Sequence, residues 1–355
     1  MYEQFFGFSR SGISQRPFAA TPSPNCFFAT SAIEETLSEV KQCLTEGRGL
    51  ALLTAPSGMG KTLFCKKLIE EMASEFQTVF LENAQFPTRR SFLQTILYEL
   101  GHGYIRQGEE EVRIMMKELL STLQPPQSAV LLVIDEADHL SRRMLDEVRA
   151  LSNLTSGENP LVRILLCGSL ALEENLALPE NSACYQRVAC QATLEPLTIQ
   201  ESVSYVEHRI QRVGSTLEKT FHPDGLEAIC QASDGLPRAI NQLSDHSLML
   251  SYLAEQSPVD LPVVLEALDD LKQLPLCWNE PTAAKETYEE TESGVTLNSN
   301  ETYELENPQT ITKEEPHTEG ASFEVGSFEV GADTPTEPLV ETPVVIETYQ
   351  TETYQ

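Results

Sequence analysis

The chain has 355 residues, enough for two or three domains, and its 54 acidic against 24 basic side chains give a net charge of −30. That acid excess argues against a protein that holds polyanions over its whole surface, since broad phosphate affinity needs clustered Lys and Arg. With no apolar run of membrane-span length, no basic leader in Met-Tyr-Glu-Gln-Phe-Phe, and eight cysteines without a C-x-x-C pair, the expectation is a cytoplasmic protein with reduced thiols.

In chain order, helical periodicity covers Ala29–Glu46, and an apolar strand follows at Leu50–Thr54. The next residues, Ala55, Pro56, Ser57, Gly58, Met59, Gly60, Lys61 and Thr62, continuing to Leu63, read as a phosphate-binding loop that opens a helix to about Ser74. The glycines let backbone N–H groups curl around an anion, and the positive end of the helix faces the same phosphates. Lys61 is expected on the β/γ-phosphates and the Thr62 hydroxyl on Mg2+. Ala55 stands where the first glycine of the G-x-x-x-x-G-K-[ST] pattern is usual.

A second strand, Gln77–Leu81, ends at Glu82-Asn83, and helices follow at about Thr88–Leu100 and Glu109–Leu123. The run Ala129–Ile134 is continuously apolar, as a strand buried on both faces of a parallel sheet requires. It delivers Asp135 and Glu136 to the carboxyl edge where open α/β sheets bind ligands. Asp135 is expected to complete the Mg2+ shell with Thr62, and Glu136 to orient and polarise the attacking water. The separation of 74 positions from Lys61 to Asp135 leaves room for an intervening β-α unit. Loop and acidic pair together predict a protein that binds a nucleoside triphosphate and hydrolyses it.

After a helix near Arg142–Asn153 come strands at Val162–Cys167 and Val188–Leu194. From Thr198 to about Leu274 there is only helical periodicity, broken at Gly214, Pro223, Gly235-Leu236-Pro237 and Pro258. Residues 281–355 then carry 17 acids and two lysines, with Ser-Phe-Glu-Val-Gly twice in succession and Glu-Thr-Tyr four times. Such a segment lacks the apolar density to offset its ordering entropy and is expected to be disordered. The expected architecture is α/β: a parallel sheet sandwiched by helices at residues 1–196, a small all-helical domain at 197–274, and a disordered acidic low-complexity tail at 275–355.

Several local motifs join that order. The chain opens with Tyr2-Glu-Gln-Phe-Phe-Gly-Phe and Pro17-Phe-Ala-Ala-Thr-Pro-Ser-Pro, has Glu46-Gly-Arg-Gly before the first strand, and closes with Leu194-Glu-Pro-Leu-Thr and Gly235-Leu-Pro-Arg-Ala-Ile-Asn. Over about residues 1–272 this resembles the AAA+ ATPases of the ExeA/GspA type, a general secretion pathway family related more distantly to the TniB and MuB transposition ATPases. The resemblance implies a P-loop NTPase sheet with a helical lid, a homo-oligomer, and ATP turnover that drives a client protein assembly, secretion-related in that family.

It also implies roles that spacing alone does not reveal. Arg238 would be the sensor-2 arginine on the γ-phosphate, and Arg187 the finger that enters a neighbouring subunit's site; a plain surface charge is the other reading of each. Ser169 is the sensor-1 candidate, or else a strand-ending turn residue. Asn83 would hold Glu136 away from the water until a partner binds, or simply end its strand in a turn. Thr21–Phe28 would pack near the adenine.

Two rival functions differ in class: a DNA-associated, transposition-type ATPase that loads a partner, and a nucleotide-gated scaffold with little turnover. The first would use Lys66-Lys67, Arg89-Arg90 and Arg142-Arg143, and the acid excess makes DNA the less favoured partner. The intact Asp135-Glu136 pair counts against the second. Asp135-Glu136-Ala137-Asp138 spells the label of a helicase family, and the lack of a second lobe with its own strand series and arginine motif after residue 195 argues against that reading. Family members working at the envelope continue into a membrane span, and no span is found here, so an envelope role does not follow from the resemblance.

Overall fold

The computed structural model describes residues 2–10, 13–21, 24–103, 108–124, 127 and 129–272. The reading of an acidic tail at 275–355 lies outside the described residues.

Five strands, β1 (Leu50–Thr54), β2 (Gln77–Leu81), β3 (Val130–Ile134), β4 (Val162–Gly168) and β5 (Val188–Thr193), form one parallel sheet in the order β2-β3-β4-β1-β5. Every residue of β1, β3 and β4 is buried. The strand period of two divides those side chains between two cores. Leu52, Leu132, Ile134, Ile164 and Leu166 face one core, while Ala51, Leu53, Leu131, Val133, Leu165 and Cys167 face the other. Helices therefore cover both faces, and parallel strands joined by crossovers leave no face for water.

The second core is closed by α1 (Ser31–Glu46) and α2 (Lys61–Met72). The first is closed by α3 (Arg89–Glu99), α4 (Glu109–Thr122), α5 (Arg142–Ser152) and α6 (Leu170–Ala177). Caps set the boundaries. Thr30 accepts the Ile33 N–H at 3.3 Å and starts α1, two residues later than periodicity suggests. α1 ends at Gly47, whose φ of +64° is open to glycine, and a Cβ there would lie 2.6 Å from the buried Arg163 guanidinium.

The sequence reading has no element between Gly168 and Val188, whereas the structure has α6 and a helical turn at Ser182–Tyr185. Only Leu172 and Leu176 of α6 are buried, one i, i+4 pair, too few for periodicity to register. A two-residue hairpin pairing Thr155–Ser156 with Asn159–Pro160 is likewise absent from that reading.

After β5 the chain is helical, in α7 (Ile199–Arg212), α8 (Pro223–Ala232), α9 (Pro237–Leu253) and α10 (Leu261–Lys272), with a one-turn helix at Leu217–Thr220. The aromatic N-terminus packs with these helices. Tyr2, Phe8 and Phe18 share one core with Val206, Ile210, Ile229, Ile240 and Val264. The buried Arg209 guanidinium donates to the Pro17 carbonyl at 2.6 Å and the Ala19 carbonyl at 3.3 Å, and the Tyr2 hydroxyl donates to Asp245. Packing thus groups Tyr2, Phe8 and residues 17–19 with the helical block, where the sequence reading grouped them with the sheet.

Gly235 ties α9 to Leu197, in the segment that links β5 to α7. Its φ is +70°, its carbonyl accepts the Leu197 N–H at 3.0 Å, and a Cβ on it would lie 2.0 Å from the Leu197 carbonyl oxygen. Neither backbone can yield without breaking the contact. Gly235→Ala is accordingly expected to cost at least about 2 kcal/mol, read as a lowered urea midpoint at unchanged slope.

Candidate nucleotide-binding site

The loop leaves β1 at Ala55 and enters α2 at Lys61. Gly58 and Gly60 take φ of +87° and +94°, conformations that a Cβ disfavours. Ala55 does not. Among the described non-glycine residues only Glu136, Asp234 and Glu255 have positive φ, so Ala55 needs no glycine's freedom. It is fully buried and donates its N–H to the Gly168 carbonyl at 3.2 Å, which ties the loop to β4. The departure from the usual pattern is thereby accommodated.

Helix α2 opens on Gly60 without a side-chain cap and without an acid in its first turn. Its first N–H groups and positive dipole end are turned toward the loop, an arrangement suited to phosphate. The Lys61 ammonium donates to the Ala55 and Pro56 carbonyls at 3.0 and 3.1 Å, held inside the loop it belongs to.

Asp135 and Glu136 leave β3 two strands away. The Thr62 hydroxyl nonetheless donates to Asp135 Oδ2 at 2.5 Å, joining loop and strand across 73 residues of sequence. Asp135 is 2% exposed, and its Oδ1 accepts the Glu136 N–H at 2.9 Å. Thr62 and Asp135 therefore offer two convergent hard oxygens, which fits Mg2+: that ion takes one or two carboxylates and completes its shell with phosphate and water. Glu136 is exposed and sits in the left-handed region at φ +52°. A non-glycine residue held there is strained by about 1 kcal/mol or more, which is the kind of cost structures keep at functional positions.

The other expected site residues lie in three places. Arg238, at the start of α9, adjoins the loop: its N–H donates to the Gly58 carbonyl at 3.2 Å, and a Cβ on Gly58 would lie 2.9 Å from the Arg238 Cβ. Its exposed guanidinium has no carboxylate within 4 Å among the described residues. The Gly-x-Pro-Arg segment now has a physical reason. Gly235 permits the close pass over Leu197, Pro237 starts the helix, and the Arg238 N–H reaches the loop.

Ser169 precedes α6 as its N-cap, and its N–H donates to Asp138 Oδ1 at 3.1 Å while its hydroxyl makes no cap bond. Asn83 closes a local turn, its Oδ1 accepting the Gln85 N–H at 3.3 Å. It lines a cavity of about 400 Å³ with Phe80, Phe86, Thr95 and Glu99.

Arg187 lies at the opposite edge of the sheet. Its carbonyl accepts the Leu50 N–H at 2.8 Å, at the start of β1, while the loop leaves the end of that strand. Five residues at about 3.3 Å each put some 17 Å between them, longer than an arginine side chain. Arg187 does not join its own chain's site.

Of the Thr21–Phe28 segment, Phe27 packs on the α1–α2 side of the sheet. The Phe28 ring meets Tyr205 and His208 of α7, centroids 5.7 and 5.5 Å away. Sequence reasoning missed Asp138, Tyr205 and His208. Asp138 was legible as the last letter of Asp135-Glu136-Ala137-Asp138; the α7 pair had no local signal. Burial first, then Arg212 and Arg209, lowers the His208 pKa, and its Nδ1 has no hydrogen-bond partner.

Seven cysteines of the described residues are free thiols. Burial pushes Cys43, Cys184 and Cys230 up to about 11, which makes them poor nucleophiles at neutral pH.

Comparison with known proteins gives a consistent frame. Residues 44–176 match a family model described as AAA domain. Over 254 residues the chain is 30% identical to General secretion pathway protein A of Aeromonas hydrophila, covering 71% of this chain and 45% of that protein. The chain thus spans less than half the length of that relative. Among solved structures, the ORC2 protein of Aeropyrum pernix superposes with a TM-score of 0.57 at 15% identity, over 72% of this chain and 71% of that one. Cdc6p of Pyrobaculum aerophilum superposes with 0.57 at 16% identity, over 73% and 74%. At such identities the likeness is one of fold.

Proposed function

We propose, from the premise that residues 44–176 form an AAA domain on a P-loop AAA+ fold, that this chain is an ATPase whose turnover moves a partner assembly. The observation that carries the reading is the 2.5 Å bond from the Thr62 hydroxyl to the Asp135 carboxylate, which joins the phosphate loop to the acidic strand end. Bound between them, Mg2+ would neutralise charge on the phosphate oxygens.

The protein's own groups have separable tasks. Loop N–H groups and the α2 terminus would cradle the phosphates, and Lys61 would exchange its two loop carbonyls for phosphate oxygens. Glu136 would orient water in line with the γ-phosphorus. Arg238, whose main chain already touches Gly58, would report the γ-phosphate to the helical block. Ser169, beside Asp138 at the start of α6, and Asn83, at the end of β2, are proposed as polar monitors of the same phosphate and of Glu136.

The partner is proposed to be a protein client of the secretion type, on the strength of the similarity to General secretion pathway protein A. A homo-oligomer in the cytoplasm, where ATP is supplied, is part of the same reading. Among the described residues no helix is long and apolar enough to cross a membrane.

Lys61→Ala tests the premise directly. It should abolish measurable ATP binding in titration calorimetry at micromolar protein, with the far-UV spectrum unchanged. Retention of parental affinity would remove the loop from the site.

A further inference from the structure

The sheet has two edges, and they are finished differently. β5 carries a one-residue bulge where it passes Leu50 and Ala51, and bulges blunt an edge against further pairing. β2, at the other edge, runs Gln77-Thr78-Val79-Phe80-Leu81 with no proline, no charge and no break in its register with β3.

The bonds to β3 fix which backbone groups are left over. The Gln77 N–H donates to the Ala129 carbonyl at 3.1 Å, and the Leu81 carbonyl accepts the Asp135 N–H at 2.9 Å. Polar groups of alternate strand residues point to opposite sides, so Gln77, Val79 and Leu81 serve β3. Thr78 and Phe80 turn theirs to the open edge, where no strand or turn among the described residues pairs with them. Both residues are only partly buried.

Beside that edge lies the cavity of about 400 Å³, between the end of β2 and α3. Its α3 wall holds Thr95 and Glu99, one helical turn apart on one face. Phe86 supplies an apolar wall, its ring edge-on to the buried Phe92 with centroids 5.1 Å apart. Glu82 already pairs with Lys66 at 3.2 Å, whereas the exposed Glu99 has no cation within 4 Å among the described residues. The arginines of α3 leave it so. Arg89 is turned to α5, where its Nε donates to the Arg143 carbonyl at 3.3 Å, and the helical period sets Arg90 opposite Glu99.

We propose that the free edge of β2 takes up an extended segment of a partner protein that carries lysine or arginine at alternate positions. The added strand satisfies the outward groups of Thr78 and Phe80, and every second side chain of it faces α3. A long basic side chain fits that wall, its aliphatic stem on Phe86 and its cation at Glu99. An acidic segment meets like charge there. A second copy of this chain brings a Glu82 and a Glu99 of its own, so charge favours a basic partner over self-pairing. The inference needs no nucleotide and stands apart from the ATPase reading.

The test is fluorescence anisotropy with the full chain and a labelled octapeptide of alternating arginine and valine. Two further peptides carry N-methyl groups on every arginine nitrogen or on every valine nitrogen, at unchanged charge. Only one of these two sets of N–H groups faces β2. One methylated peptide should therefore lose at least about tenfold in affinity while the other stays within about twofold of the parent peptide. Which one fails gives the direction of the added strand. Thr95→Arg puts a cation into the cavity and should weaken the unmethylated peptide at least about tenfold. Glu99→Gln removes one exposed ion pair and should weaken it about threefold. Nucleotide affinity and melting temperature should stay at parental values in both variants. Equal affinities or equal losses for the two methylated peptides would overturn the proposal. So would parental peptide affinity in Thr95→Arg, or a lower mass of that variant by light scattering without a change in peptide affinity, which would assign the edge to a second copy.

Discussion

Glu136→Gln should bind ATP as tightly as the parent and turn it over on the order of a hundred times more slowly, or slower still. Its carboxylate is the one group at the end of β3 that is both exposed and unclaimed by the loop: Asp135 is buried and bonded to Thr62 and to the Glu136 N–H. Gln keeps the size and loses the base. Positioning therefore survives while polarisation of water does not, and a hundredfold loss corresponds to about 2.7 kcal/mol of barrier. Single-turnover measurement of phosphate release, alongside equilibrium binding of labelled ATP, separates the two. Parental turnover in this variant would strip Glu136 of its assigned task. Because the variant should accumulate the ATP-bound form, it is also the bait for recovering the client.

A second large effect is expected from Arg187. The site in its own chain lies about 17 Å along β1 from the Arg187 carbonyl, so the side chain can act on phosphate only in a neighbouring copy. A cationic finger is worth several powers of ten in phosphoryl transfer. Arg187→Ala should bind ATP normally and hydrolyse it poorly. Lys61→Ala should be inactive at its own site while still presenting Arg187 to a neighbour. Mixing the two inactive proteins should then restore part of the activity, and specific activity of the parent should rise with concentration as copies associate. Full activity of Arg187→Ala alone, with mixtures inert despite co-assembly by light scattering, would end the shared-site model for this residue.

The sheet was legible because β1, β3 and β4 are buried on both faces, and such strands read as unbroken apolar runs. The site was legible for a similar reason: a loop that curls around phosphate needs Gly58 and Gly60 at positive φ, a constraint the sequence cannot disguise. What depends on tertiary contact was not. Tyr2, Phe8 and Phe18 belong to no periodic stretch, so nothing local says that they complete a core 200 residues further on. The arginine pairs at 89–90 and 142–143 look like solvated faces until α3 and α5 are laid side by side. The open question about Ala55 was one of conformation, and only its φ could answer it.

The packing of the N-terminus has a mechanical consequence. The chain passes between helical block and sheet twice, once beyond Ala19, which Arg209 grips, and once beyond Leu194. A body hung on two separate tethers behaves like a door on two pins. Swinging about the line through both pins strains neither tether and has only contacts such as that of the Arg238 N–H with the Gly58 carbonyl to give up, whereas twisting or sliding strains one tether against the other. If Arg238 senses the γ-phosphate as proposed, the free energy released there would be channelled into one angle rather than dispersed over several, and a partner resting on α8 or α10 would feel a directed stroke.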